Sequence, residues 1–233
     1  MPDILIDAAD PGRFSAYLAE PAGTGPAPGM LVIQEIFGVN ANVRAIADDY
    51  AARGYIALAP DLFWRQQPGV QLDSTTQAGW DEAMKFYQGF SETKGAEDLI
   101  ASLAWLRTHK RLNGKAGAVG YCLGGKLAYL MATRSDSDAT VGYYGVGIEG
   151  SLGEAGAITK PLILHVAEKD GFCPPEAQAK IRAGLASITH VTVYSYPGVD
   201  HAFARKGGDH YDAAAATLAD GRTAQFFEQN LKA

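Results

Sequence analysis

The chain consists of short segments in which apolar and polar residues repeat with either a strand-like or a helix-like period. Short apolar or alternating runs are typical of strands, whereas apolar positions three and four residues apart are typical of helices. Strands are predicted at residues 4–7, 13–19, 30–35, 55–59, 115–121, 140–144, 161–167 and 191–196. Helices are predicted at residues 42–53, 95–108, 127–133, 174–187 and 211–231.

Helical segments separate nearly all the strands after the first three. Parallel strands need crossover connections, and helices that supply them cover both faces of the sheet. The pattern therefore predicts one three-layer α/β domain over residues 1–233, with a mostly parallel central sheet. The Pro/Gly-rich stretch at 20–29 lies too early in the chain to join two domains.

Residues 61–91 depart from this rhythm. A loop containing Pro and Gln is followed by a helix with the aromatic residues Trp80, Phe86, Tyr87 and Phe90. Two interpretations are open: the segment walls a pocket above the sheet, or it is a crossover helix whose aromatic side chains belong to the core.

Composition narrows the class of function. Of the 233 residues, 47% are hydrophobic, which suffices for a sizeable core. A net charge of −6 without a Lys/Arg cluster argues against nucleic-acid or membrane partners and favours a small-molecule substrate. The N-terminus carries acidic residues where a signal peptide needs basic ones, so a cytoplasmic location is predicted.

Cys122 lies in the segment Gly120-Tyr-Cys-Leu-Gly124, between a predicted strand and a predicted helix. The pattern Gly-x-nucleophile-x-Gly places a nucleophile on a strained turn at the carboxyl end of a sheet. Glycines allow the close backbone packing, and the N-terminus of the following helix favours a thiolate. The alternative is a chance match around a buried structural thiol.

An acid and a histidine follow in the order that such a nucleophile requires. Asp170 comes just after one predicted strand, and His201 comes after the next. His201 can accept the proton of Cys122 while Asp170 fixes the tautomer of the imidazole. Asp200 and Glu168 are weaker alternatives for the acid, Asp200 because neighbouring side chains rarely face one another.

The remaining histidines and the second cysteine are predicted to be structural. His165 lies inside a predicted strand, and His109, His190 and His210 lie near the ends of elements. Cys173 follows the Asp170 turn and is expected to be an unreactive thiol.

With these residues in place, the chain resembles the dienelactone hydrolase family over nearly its whole length. The resemblance rests on QEIFGVN (34–40), APDLF (59–63), GYCLGG (120–125), VGYYGVG (141–147), the Asp170 turn and HAFAR (201–205). It implies an α/β-hydrolase fold and a triad of Cys122, His201 and Asp170.

The resemblance also implies roles that spacing alone does not reveal. Glu35 would engage the sulfur at rest and help to deliver the thiolate; the alternative is a glutamate in a surface loop. The backbone N–H groups of Ile36 and Leu123 would form the oxyanion hole. The predicted substrate-binding residues are Arg205, Trp80, Phe37 and Tyr143.

The implied reaction opens an unsaturated lactone such as dienelactone. Cys122 would attack the ring carbonyl to form an acyl-enzyme and an enolate, and water would release maleylacetate, a step in bacterial breakdown of chloroaromatics. No metal or organic cofactor is expected, and the family resemblance favours a monomer.

One departure from the family pattern concerns the carboxylate of the substrate. Dienelactone hydrolases typically hold it with two arginines, of which Arg205 matches one. Residues 66–106 contain no arginine, and Trp80 occupies the position of the other. Lys85 could replace it in part, or the substrate is a bulkier or less acidic lactone or ester.

Two other interpretations remain. Intracellular cysteine peptidase-like proteins also place a cysteine on such a turn near a glutamate, but they usually have histidine directly after it, where this chain has Leu123. A non-catalytic binding protein of the same fold would not need the nucleophile, base and acid together.

Overall fold

The structure is a computed structural model that describes residues 3–232. Its strands are β1 (Ile4–Asp7), β2 (Arg13–Ala19), β3 (Ala27–Ile33), β4 (Ile56–Pro60), β5 (Leu112–Tyr121), β6 (Thr140–Tyr143), β7 (Leu162–Ala167) and β8 (Val191–Tyr196). Its α-helices are α1 (Ala41–Ala52), α2 (Gln77–Gln88), α3 (Glu92–Arg107), α4 (Leu123–Arg134), α5 (Pro175–Leu185) and α6 (Ala213–Phe227). A 3₁₀ segment (Ile148–Ala157) and a π turn (Glu228–Lys232) complete them.

Within the described residues the strands form an eight-stranded sheet in the order β1-β2-β4-β3-β5-β6-β7-β8. β2 pairs antiparallel with β1 and β4, whereas β3–β4, β6–β7 and β7–β8 are parallel. Helices lie on both sides of this mixed sheet, so the predicted three-layer α/β class is confirmed. No helix among residues 3–232 is long and apolar enough to cross a membrane.

The described chain divides into two compact units. The first comprises residues 3–118 and Lys232 and contains β1 to β4, most of β5, and α1 to α3. Strands β3 and β4 are buried along their whole length, as their continuous apolar runs predict. The single-domain organisation over residues 1–233 stays a prediction.

Residues 119–231 form the second unit, with the end of β5, strands β6 to β8 and helices α4 to α6. The prediction for α4 was short at its N-terminus, because Gly124 and Gly125 resemble helix breakers. In the structure the helix begins at Leu123, directly after Cys122, and is buried over most of its length. Because all its faces are buried, the helix lacks the amphipathic period that usually marks a start.

The segment 61–91 supports the core interpretation at Phe86, and the pocket-wall interpretation stays a prediction. Helix α2 begins after Thr76, whose side chain accepts a hydrogen bond from the Gly79 N–H. Phe86 is buried, with its ring stacked on Phe63 at 5.3 Å between centroids, as the core interpretation predicts. Trp80 is only half-buried, and its indole N–H donates to the Ser74 carbonyl oxygen at 2.9 Å.

Candidate active site

Cys122 occupies a strained turn between β5 and α4. Its φ of 55° and ψ of −115° lie where residues with a Cβ atom are rarely found. Hydrogen bonds support this conformation: the Cys122 N–H donates to the Tyr143 carbonyl at 3.1 Å, and the Gly125 N–H donates to the Cys122 carbonyl at 2.9 Å. These backbone hydrogen bonds therefore stabilise the strained φ and ψ angles of Cys122.

The glycines on either side of the cysteine are required by close backbone packing. A Cβ atom at Gly120 would overlap the carbonyl oxygen of Gly124. One at Gly125 would overlap the carbonyl oxygen of Tyr143 and the backbone of Gly145. The glycines of GYCLGG thus allow the close backbone packing that the sequence pattern predicts around a nucleophile on a strained turn.

Asp170 lies in the turn that follows β7 and is buried. One carboxylate oxygen accepts the Phe172 N–H at 2.8 Å, and the other lies 2.8 Å from Nδ1 of His201. The buried amide of Gln178 supports the turn, because its Nε2 contacts the Ala167 carbonyl at 3.1 Å and the Cys173 carbonyl at 2.8 Å. Sequence reasoning missed Gln178, since only the folded helix α5 brings it to this turn.

His201 is buried between the predicted acid and the predicted nucleophile. Burial of the ring opposes its protonation, but Cys122, which also hydrogen-bonds to it, and the Asp170 carboxylate raise the pKa of His201 to about 10. These two acidic neighbours therefore favour the protonated imidazole over the neutral one. Cys122, His201 and Asp170 are brought together within the second unit.

The alternative acids make other contacts. Asp200 accepts the backbone N–H of His201 at 2.6 Å and faces His210 at 3.9 Å. Glu168 is exposed and accepts the Gly198 N–H at 2.8 Å. The acid hydrogen-bonded to the His201 ring is Asp170, which favours the assignment made from the sequence.

The other side chain predicted near the acid turn is Cys173. It is buried, and burial, together with the charges of Asp170 and Glu149, raises the pKa of its thiol to about 12. A thiol in this environment stays protonated, which agrees with the expectation that Cys173 is unreactive.

Tyr143 does not fit its predicted substrate-binding role. It lies in β6, fully buried, and its hydroxyl donates to Asp220 at 3.0 Å and lies 2.7 Å from the Thr223 hydroxyl. The next residue, Tyr144, instead packs its ring against His201, with 5.1 Å between centroids. Strand β6 ends at Tyr143, before Tyr144, so its apolar sequence pattern does not indicate which of the two rings faces His201.

Phe172 was also missed by sequence reasoning. Its ring is 56% exposed and lies edge-on to His201, with 5.0 Å between centroids. An exposed aromatic ring beside a buried histidine offers an apolar contact to a bound molecule. A single sequence gives no signal for this position beyond its place after Asp170.

Arg205 follows His201 in a tight turn. Its N–H donates to the carbonyl of Ala202 at 2.9 Å, and Ala202 has a φ of 63°. The arginine is buried. A buried guanidinium is suited to recognition of a carboxylate because its fork of N–H donors matches the two oxygens.

In the first unit, Glu35 and its neighbours follow β3. Glu35 is only 3% exposed, so the alternative of a surface-loop glutamate is wrong. The buried side chain of Gln34 links this segment to the loop after β4, since its Oε1 accepts the Leu62 N–H at 3.1 Å. Phe37 is buried, and its ring meets Trp80 edge-on at 5.0 Å between centroids.

Comparison with known proteins identifies relatives along the whole chain. Residues 14–231 match the model of the dienelactone hydrolase family. A protein of Azospirillum brasilense that is provisionally named a carboxymethylenebutenolidase is 51% identical over 239 residues, covering 99% of this chain and 100% of its own. The carboxymethylenebutenolidase of Pseudomonas putida is 39% identical over 223 residues, covering 96% of this chain and 94% of its own.

Solved structures show the same fold. A crystal structure from Klebsiella pneumoniae, described provisionally as a dienelactone hydrolase, superimposes with a TM-score of 0.84 at 24% identity. The match covers 98% of each chain. At this identity the likeness concerns the fold alone, and it agrees with the α/β-hydrolase fold implied by the sequence.

Proposed function

The chain belongs to the dienelactone hydrolase family, and on this premise we propose that it opens an unsaturated lactone with Cys122 as nucleophile. The family membership makes it an ester or lactone hydrolase. The observation that carries the finer proposal is the hydrogen-bonded, buried arrangement of His201 between Cys122 and Asp170. The substrate class is one in which a carbonyl carbon is activated by an enol leaving group, as in dienelactone.

The first step joins sulfur to carbon. The Cys122 thiolate attacks the ring carbonyl, and the carbonyl electrons move onto oxygen. The N–H of Leu123, at the first position of α4, has no intrahelical partner and can donate to this oxyanion. The complementary donor from Ile36 stays a prediction, as does the delivery of the thiolate by Glu35.

Collapse of the tetrahedral intermediate breaks the ring C–O bond. The electron pair leaves with the enolate, and the His201 imidazolium supplies the proton that converts the enolate to a neutral product group. The result is a thioester on Cys122 and a neutral imidazole at His201. Asp170 keeps Nδ1 occupied, so that Nε2 is the nitrogen available for the transfer.

Water completes the cycle. Neutral His201 removes a proton from water as the oxygen attacks the thioester, and the thiolate departs as the new carboxylic acid forms. The imidazolium–thiolate pair is thereby restored. For dienelactone the product is maleylacetate.

One observation favours a second candidate substrate class. Trp80 lies where the family typically has an arginine, and its half-buried indole packs on Phe37 in an aromatic pair. An apolar pair of this kind favours a bulkier or uncharged lactone or ester over a second carboxylate contact.

Substrate comparison separates the two classes. Ultraviolet absorbance would follow cis- and trans-dienelactone, a matched lactone without the carboxylate, and p-nitrophenyl acetate, each with the same protein preparation. A kcat/KM for dienelactone that exceeds that for the neutral lactone supports the first class. The opposite order supports the second, and lack of turnover on all four compounds would contradict the hydrolase mechanism.

A further inference from the structure

A network of hydrogen bonds, buried at its centre and part-buried at its two ends, lies beside the Cys122 turn inside the second unit. We call it the buried network; it connects β6, β7, β8 and α6. Its contacts are Arg222 Nη1–Tyr196 Oη at 3.1 Å, Tyr196 Oη–His165 Nδ1 at 2.7 Å, His165 Nε2–Thr223 Oγ1 at 2.9 Å, Thr223 Oγ1–Tyr143 Oη at 2.7 Å, and Tyr143 Oη–Asp220 Oδ1 at 3.0 Å.

At the Arg222 end of the buried network, the direction of the first hydrogen bond is fixed. Arg222 can only donate, so the Tyr196 oxygen accepts from it. The Tyr196 hydrogen can then go to an unprotonated Nδ1 of His165. In this arrangement His165 is neutral and carries its hydrogen on Nε2.

The acidic end leads to the same assignment. The Asp220 carboxylate only accepts, so the Tyr143 hydroxyl donates to it. Tyr143 must then accept from the Thr223 hydroxyl, and Thr223 in turn accepts from Nε2–H of His165. Every contact in the buried network receives one hydrogen in this arrangement.

The other tautomer breaks the buried network. With the hydrogen of His165 on Nδ1, Thr223 would donate to Nε2 and Tyr143 to Asp220. The two hydroxyl oxygens of Thr223 and Tyr143, 2.7 Å apart, would then share no hydrogen. Protonation of His165 is also opposed, because burial and the charge of Arg222 lower its pKa to about 3.

Two members of the buried network hold the catalytic turn through their backbones. The Tyr143 carbonyl accepts the N–H of Cys122 at 3.1 Å, and the His165 carbonyl accepts the N–H of Tyr144 at 2.7 Å. Tyr144 is itself strained, with a φ of 38°, and its ring packs on His201. A side chain that moves in the buried network would therefore displace the supports of both the nucleophile and the base.

We propose that His165 and Thr223 are positioning residues, which set the Cys122–His201 geometry through the Nε2–H tautomer of His165. This inference rests on the proposed hydrolase function, and it assigns catalytic consequences to a histidine that the sequence pattern marks as structural. Neither residue contacts substrate in this account; each acts through Tyr143 and Tyr144.

The test uses a matched pair of variants at one position. Thr223→Val removes the hydroxyl with little change of shape, and Thr223→Ser retains it. We expect Thr223→Val to lower kcat for p-nitrophenyl acetate by roughly tenfold with KM little changed, since small displacements of reacting groups have effects of this size. Thr223→Ser should restore kcat to within about twofold of wild type.

The rate at which iodoacetamide alkylates Cys122 tests the positioning role even if the protein hydrolyses no ester. If the wild type hydrolyses no ester, the proposed function fails, but the alkylation rates of the variants still report on the thiolate. We expect slower alkylation in Thr223→Val and a near-wild-type rate in Thr223→Ser. Unchanged kcat and alkylation in Thr223→Val, with only a lower Tm, would overturn the positioning role.

A second measurement needs no variant. Nitrogen chemical shifts of ¹⁵N-histidine-labelled wild-type protein report the tautomer of His165 directly, with a His165→Gln sample for assignment of the signal. We expect the Nε2–H pattern, unchanged across physiological pH. An Nδ1–H pattern, or a signal that titrates in this range, would overturn the assignment.

Discussion

At the scale of single residues, the reactivity of Cys122 depends on two contacts of one imidazole. His201 bonds Asp170 through Nδ1 at 2.8 Å and engages Cys122 on its other side. Because both neighbours are acidic groups, the ring keeps its proton despite being buried. In the proposed reaction, this protonated ring lies beside the attacking sulfur and can protonate the leaving enolate.

The assignment of the acid leads to a first prediction. Asp170→Asn removes the charge beside the ring and is expected to lower kcat by about 10²- to 10⁴-fold, in the range seen when the orienting acid of a triad is lost. Steady-state kinetics on an activated ester measure this. Asp200→Asn is the matched control, because Asp200 contacts the backbone N–H of His201 and the His210 ring, whereas Asp170 bonds the His201 ring. A larger loss in Asp200→Asn would reverse the assignment.

A second prediction concerns pH. The folded pKa of His201 is raised to about 10 from its ordinary 6.5, so the imidazolium is present at neutral pH and is lost as pH rises through about 10. In the proposed mechanism the imidazolium protonates the leaving enolate, so kcat for an enol ester should persist in mildly alkaline solution and fall towards pH 10. In Asp170→Asn the alkaline fall should begin at lower pH. A profile whose alkaline limb does not move would argue against the carboxylate as support of the ring.

At the scale of elements, the junction of β5 and α4 depends on glycine for steric reasons. A Cβ atom at Gly125 would overlap backbone atoms of Tyr143 and Gly145. Gly125→Ala should therefore lower the free energy of unfolding by about 1–3 kcal/mol, measured by denaturant titration. Gly150→Ala is the control, because a Cβ there meets no atom within 4 Å, and equal losses at the two positions would refute the packing argument.

Most strands and helices could be predicted from the sequence, because their apolar period depends only on residues that are neighbours in the chain. Strand β8 has the predicted bounds, and α5 differs at each end by no more than two residues. The predicted bounds of α4, residues 127–133, omit its first turn, because its glycines resemble helix breakers but serve a tertiary contact in the structure. Chain order was enough to indicate Asp170 and His201, but the choice between Tyr143 and Tyr144 depends on which ring the end of β6 turns towards His201.

Roles that arise from packing between distant segments escaped sequence reasoning altogether. Gln178 supports the acid turn from a helix whose pattern shows only amphipathicity, and Thr223 meets His165 across a separation of 58 residues. Neither contact leaves a signal in the spacing of nearby residues. Such partners become visible only when the folded strands and helices bring them together.

For the whole molecule, the charge of the preferred substrate distinguishes the two proposed substrate classes. Trp80→Arg introduces the second guanidinium that the resemblance to the family implies for this position. We expect KM for dienelactone to fall by about tenfold, because a bidentate arginine–carboxylate contact contributes about 1.5–3 kcal/mol. Trp80→Phe is the control for loss of the indole. A KM for dienelactone that does not fall would place the substrate carboxylate away from residue 80.

The proposed mechanism requires Cys122 to form the covalent bond to substrate, so the decisive measurement is the turnover of Cys122→Ala. Hydrolysis of dienelactone and p-nitrophenyl acetate would be measured for wild type, Cys122→Ala and the control Cys173→Ala, whose thiol is buried and held protonated. Cys122→Ala is expected to lose turnover to the background rate, while Cys173→Ala should retain it. Wild-type turnover by Cys122→Ala would show that Cys122 is not the nucleophile.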